Sequence, residues 1–216
     1  MGTGISTSKP ATLPTRVFGK TGEKIPILGL GTAPGGFGLN DFDAVDVIHA
    51  AIDNGVTYLD TAPGYERAQI QLGEVLPARR DEVFLVTKTF TGNGARAVEI
   101  LEQSLRDLKT DCVDVTFVHS VGSLDPDEVL SKDGALAGLR SAQKRGLTRY
   151  VGFTAHNCPS KSKKLLKEVD FDAVMFALNW GQAYLRLSGR SSRACRGEER
   201  GSRSKESLWG RAGAKV

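Results

Sequence analysis

Apolar and polar positions change period along this chain in a regular order. Ile27 to Gly31 is a short apolar run, followed by a glycine-rich stretch from Thr32 to Gly38. Between Asp41 and Asn54, Val45, Ile48 and Ile52 fall at helical spacing, and Gly55 supplies an end. Thr57 to Asp60 is a β-branched and aromatic strand that breaks at Pro63 and Gly64. Ala68 to Leu76 predicts a short helix stopped by Pro77, and Val83 to Thr87 an apolar strand ending at Lys88. Ala95 to Leu108 is the clearest helix, with Val98, Leu101, Leu105 and Leu108 on one stripe. Val113 to Val118 is a strand ending at His119, and Asp127 to Arg145 is expected as one helix closed by Gly146. Tyr150 to Phe153, Ser160 to Glu168 and Asp172 to Leu178 then predict strand, helix and strand. Ahead of all these, Arg16 to Pro26 has the pattern of a hairpin turning at Gly19-Lys-Thr-Gly22.

Strands beginning near 27, 57, 83, 113, 149 and 172, each separated from the next by a helix, imply a parallel sheet covered by helices on its outer face. The fold class is α/β, and the alternation fits a (β/α) barrel or a doubly wound sheet without choosing between them. Gly29-x-Gly31-x-x-Pro34 lacks the third glycine of a dinucleotide fingerprint, and no helix opens directly behind it.

Composition adds limits. With 216 residues, 40% hydrophobic and 25% charged, the chain can bury one sizeable core. Its apolar runs fall far short of the roughly 20 residues that cross a bilayer, and no signal peptide is visible. Met1-Gly-Thr-Gly-Ile-Ser6 fits the short N-myristoylation pattern, but residues 1–15, rich in Ser, Thr, Gly and Pro, read as a disordered leader. Cys112, Cys158 and Cys195 show no C-x-x-C spacing and support neither a zinc site nor a disulfide framework, so no metal is expected and the setting is reducing and cytoplasmic. The net charge of +4 belongs to residues 181–216, which hold nine Lys and Arg against three Asp and Glu. That segment is Arg, Gly and Ser rich, without strand or helix patterning, and reads as a disordered, low-complexity tail. It lacks the interleaved aromatics of an RNA-binding segment, so nucleic acid is not an expected partner. The abrupt change after Trp180 suggests truncation or an out-of-frame reading.

Three consecutive strands end in residues that carry chemistry: Asp60 with Tyr65 after the second, Lys88 after the third and His119 after the fourth. Singly, each has a bland explanation: a turn-capping carboxylate, a packing ring, a snorkelling lysine, a hydrogen-bonded histidine. In a parallel barrel, however, neighbouring strand ends converge on one face. A phenol is a poor acid near neutral pH unless its anion is stabilised. Lys88 beside Tyr65 is expected to lower the phenol pKa, Asp60 to hold the lysine charged, and His119 to polarise a substrate carbonyl. An acid beside a polarised carbonyl, with no nucleophile or metal in the set, suits carbonyl reduction by a bound nicotinamide hydride donor.

Residues 16–180 resemble the N-terminal part of an aldo-keto reductase. The matching features are the hairpin, Gly29-Leu-Gly-Thr32, Asp60-Thr-Ala62 with Tyr65, Leu85-Val-Thr-Lys88, Asp114-Val-Thr-Phe-Val-His119 and Val151-Gly-Phe-Thr154. The resemblance implies a (β/α)8 TIM-type barrel, here incomplete with about six βα units, and reduction of an aldehyde or ketone with Tyr65 as general acid. It implies NADPH as cofactor, NADH being the alternative, and a small carbonyl compound as substrate. It puts Asp60, Tyr65, Lys88 and His119 in the catalytic set, and Gly31, Thr32, Asp60, Thr154, His156 and Asn157 near cofactor or substrate. The chain departs from the family at Glu66, where Gly is usual, at Gln69, where Glu is usual, and at Met175, where a Gln commonly bonds the nicotinamide amide. The family's seventh and eighth strands have no counterpart, so a catalytically inactive fragment is the rival reading.

Overall fold

A computed structural model describes residues 13–33 and 38–177. Most of the expected leader, part of the glycine-rich stretch, Leu178 and the basic tail lie outside them. The described chain opens with an antiparallel hairpin of β1 (Thr15–Val17) and β2 (Lys24–Pro26). Six strands follow in one parallel sheet: β3 (Gly29–Gly31), β4 (Tyr58–Asp60), β5 (Phe84–Thr89), β6 (Val113–Val118), β7 (Thr148–Ala155) and β8 (Ala173–Phe176). Their order in the sheet is their order in the chain, and the sheet curls into a partial (β/α)8 barrel. Helices α1 (Asp41–Asp53), α2 (Ala68–Arg79), α3 (Gly94–Asp107), α4 (Pro126–Leu130), α5 (Ala135–Lys144) and α6 (Pro159–Glu168) form the connections.

Two apolar layers follow from the period-two alternation of the strands. Leu59, Leu85, Val151 and Phe153 face outward and pack with Ile48, Leu72, Leu76, Leu101, Leu139 and Leu165 of the helices. Tyr58, Phe84, Val86, Val115, Phe117 and Ala173 face inward, and the hairpin's Phe18 and Ile25 pack against them. The hairpin is fastened there by Lys20 N donating to Asp172 O at 2.7 Å and by the Tyr150 hydroxyl donating to Thr21 O at 3.2 Å. Beside it, the buried Asp114 carboxylate accepts from Arg80 at 2.9 Å, Arg149 at 2.7 Å and Leu85 N at 2.8 Å. Gly152 is required by the inner packing: a Cβ there would lie 2.2 Å from Ala173 O and 2.6 Å from the Phe117 ring.

Two sequence expectations are corrected. Pro77 does not stop α2, which continues to Arg79 because Leu72, Val75 and Leu76 are buried on the core and outweigh one lost backbone bond. The expected helix from Asp127 to Arg145 is two helices, since Gly134 packs directly on the carbonyls of Glu128 and Val129 and turns the chain between α4 and α5. Cys112 has a free thiol, and Cys195 lies outside the described residues. Among the described residues no His, Cys, Asp and Glu cluster could hold a metal, and no helix is long and apolar enough to cross a membrane.

Candidate active site

The alternation that buries Tyr58, Val86 and Phe117 inside the sheet also aims the polar residues that succeed them. Two residues beyond each inward apolar side chain stand Asp60, Lys88 and His119, at the carboxyl ends of β4, β5 and β6. The strand ends bring all three to one rim with Tyr65, which the turn after β4 supplies.

Lys88 is 2% exposed. Its Nζ donates to Asp60 Oδ1 at 2.6 Å and to Thr61 O at 2.9 Å, and it lies 4.8 Å from the centre of the Tyr65 ring. The rings of Tyr65 and His119 meet edge to face with centroids 6.2 Å apart. Phe90 and His156 flank His119 at 6.0 and 6.2 Å. The His119 backbone is fixed from both sides: its N donates to Thr89 O at 2.8 Å, and the next amide, Ser120 N, donates to Thr154 Oγ1 at 2.9 Å.

Burial dominates the electrostatics. It raises the Asp60 carboxyl, with Lys88 opposing, and lowers the Lys88 ammonium, with Asp60 opposing. The Tyr65 phenol is pushed up to about 12, first by burial and then by the Asp60 charge. The expected depression by Lys88 is not found, because burial and the Asp60 charge both act against the phenolate. His119 is lowered to about 4 by burial, then by Lys88 and His156, and is neutral at ordinary pH.

The residues expected near the cofactor divide. Gly31 pairs with Asp60 across β3 and β4, with open space where a side chain would stand. Thr32 is turned to the protein, its N and Oγ1 each donating to Asp60 O at 3.0 Å. Thr154 holds Ser120, Asn157 packs on Gly122, and His156 is exposed beside His119. Met175 packs against the inner apolar layer and pairs with Thr154 across β7 and β8.

Two supporting features escape the sequence reading. The Thr61 carbonyl as second acceptor for Lys88 leaves no sequence signal, since any residue carries a carbonyl. Glu66, immediately after Tyr65, has φ +47°, the left-handed region that glycine occupies without strain. The departure from Gly at that place could have pointed to it.

Comparison with known proteins gives one consistent answer. The family model described as the Aldo/keto reductase family matches residues 27–183. The chain is 33% identical over 135 residues to "Methylglyoxal reductase DkgB" of Yersinia pestis, a match covering 60% of this chain and 48% of that protein. A solved structure from Pseudomonas aeruginosa superposes with a TM-score of 0.69 at 27% identity, covering 88% of this chain and 75% of that one. An aldo/keto reductase from Klebsiella pneumoniae, solved in complex with NADP and acetate, superposes with a TM-score of 0.61 at 26% identity, over 72% of this chain and 54% of that one. The chain spans about half the length of the curated relatives it matches.

Proposed function

The chain belongs to the aldo/keto reductase family, and on that premise we propose that it reduces an aldehyde or ketone to the alcohol with a nicotinamide cofactor, Tyr65 giving the proton. The observation that carries this reading is the buried Lys88 ammonium, 2.6 Å from Asp60 Oδ1 and 4.8 Å from the centre of the Tyr65 ring. With its phenol pushed up to about 12, Tyr65 holds its proton at neutral pH. As negative charge develops on the substrate oxygen, the phenolic proton moves to it and the O–H electron pair stays on Tyr65. Lys88 offsets the tyrosinate as it forms, so its charge acts mainly on the transition state. Asp60 keeps the lysine charged and aimed. Neutral His119 offers a ring N–H to the carbonyl oxygen without competing for the proton.

The nicotinamide supplies the hydride when bound. Gly31, Thr32, Asp60, Thr154 and Asn157 are the proposed cofactor residues. Asp60 Oδ2 is buried with no partner in the structure, so it can accept from a ligand amide or hydroxyl, and Gly31 leaves space beside it. Thr32 and Thr154 serve by fixing the backbone at Asp60 and Ser120. NADPH is preferred over NADH because the Klebsiella pneumoniae neighbour was solved with NADP. Methylglyoxal, taken from the name of the Yersinia pestis relative, is the first substrate to try. We place the activity in residues 16–180 and in the cytoplasm.

The full chain is titrated with NADPH by fluorescence, and cofactor oxidation is then followed with methylglyoxal. Saturable binding is expected, together with turnover that falls by about 10²- to 10⁴-fold in Tyr65→Phe while binding stays. No NADPH binding, or a Tyr65→Phe variant as active as the parent, would overturn the proposal and favour an inactive barrel fragment.

A further inference from the structure

Gln69 is an amide in an apolar place. It lies on α2, is 3% exposed, and its neighbours Ala68 and Leu72 are fully buried. Its Nε2 donates to Thr87 Oγ1 at 2.9 Å, a bond buried on both sides, while its Oε1 has no partner in the structure. Leaving a polar atom unpaired in such surroundings costs stability, so the amide is a poor choice for packing alone.

Its position gives it a different use. Thr87 faces outward from β5, and the next residue, Lys88, faces inward to Asp60 and Tyr65. Gln69 stands one helical turn after Tyr65, whose carbonyl accepts from Ala68 N at 3.0 Å as the chain enters α2. Between Tyr65 and Gln69 the chain passes through Glu66 at φ +47°, which is unfavourable for a residue with a Cβ and persists only where the surroundings enforce it. Arg67 is held by Asp41, to which its Nε donates at 2.9 Å, and Gln71 Nε2 donates to the same carboxylate at 3.1 Å. Those contacts fasten the turn to α1. The Gln69–Thr87 bond alone among them fastens it to the strand that carries Lys88.

The geometry points to Gln69 as a positioning residue, which through Thr87 fixes the Tyr65 turn against β5 and so sets where the Tyr65 ring stands relative to Lys88 and His119. Its effect on catalysis rests on the reductase reading above; its effect on the ring does not.

The two are separated by following the Tyr65 ring directly. In the full chain with labelled tyrosine and histidine, the nuclear Overhauser contact between the Tyr65 and His119 rings is recorded, with Tyr65 assigned by its loss in Tyr65→Phe. Gln69→Met keeps the volume and removes the hydrogen bond, and Thr87→Val does the same from the strand. Both should weaken or abolish the ring contact. Gln69→Glu, which can accept from the Thr87 hydroxyl, should restore it. Leu139→Ala, a core truncation on α5, should lower the melting temperature and leave the contact in place. In a turnover assay the methionine variant should lose kcat with little change in KM. A ring contact unchanged in both Gln69→Met and Thr87→Val would overturn the proposal, as would its equal loss in Leu139→Ala. If the ring contact follows the expected pattern while no variant, nor the parent, reduces methylglyoxal, the positioning role stands and the reductase reading fails.

Discussion

Replacing Lys88 by methionine keeps a side chain of similar length at the strand end and removes its charge. Lys88 is 2% exposed and donates to Asp60 Oδ1 at 2.6 Å, while Asp60 Oδ2 is already buried without a partner. Deleting one member of a buried pair leaves the other uncompensated, which costs about 3 to 5 kcal/mol. Set against a total stability of roughly 5 to 15 kcal/mol, that loss is large. It should also depend on pH. Burial raises the Asp60 carboxyl and Lys88 is the chief opposing influence, so without the lysine the carboxyl rises further. A carboxyl whose folded pKa lies above its unfolded value contributes stability that is complete below the unfolded pKa and is lost as pH climbs through the folded one. Lys88→Met should therefore lie nearest the parent in mild acid and fall away from it as pH rises. Adding Asp60→Asn removes the stranded charge and should recover most of the loss. Urea unfolding followed by far-UV circular dichroism, at about pH 5 and about pH 8, compares the parent with the single and double variants. Equal losses at both pH values, or a double variant no more stable than Lys88→Met, would refute the reasoning and reduce Lys88 to a packing residue.

Two further outcomes are expected. His119 is lowered from 6.5 to about 4, so between those values the unfolded chain takes a proton that the folded one refuses; its contribution is present above pH 6.5 and lost as pH falls toward 4, and His119→Phe should flatten that part of the stability profile in unfolding measurements. Gly152→Ala drives a Cβ to 2.2 Å from Ala173 O and should cost about 1 to 3 kcal/mol; an unchanged melting temperature would show that β7 and β8 do not approach so closely.

The strands were legible because burial on both faces leaves nearly unbroken Val, Ile, Leu and Phe, as in Phe84 to Val86 and Val113 to Val118. Helix ends were less so. Pro77 reads locally as a stop, yet burial of the side chains around it carries α2 two residues further. Gly134 and Gly138 look unexceptional in sequence, but a Cβ on Gly138 would lie 2.2 Å from Gly94 O, and this close approach of α5 to α3 involves residues far apart in the chain. In the candidate site, Asp60, Lys88 and His119 stand out in the sequence by their place at successive strand ends, and the sheet brings them to one rim. The direction of the Tyr65 shift was not legible, because it follows from burial of the phenol and from the nearby Asp60 charge, which outweigh the lysine.

What the sequence determined by itself is direction. A side-chain period of two sends Asp60, Lys88 and His119 to the same face as Tyr58, Val86 and Phe117, whatever encloses them. What the tertiary structure decided is distance and burial: the 2.6 Å contact between Lys88 and Asp60 joins residues 28 apart, and the Gln69 to Thr87 bond joins two separate elements. The pKa directions depend on those distances, since the energy of a charge is set by how far its partners stand and how much water is excluded. The order of residues fixes neither quantity until the sheet has curled and α2 has packed against it.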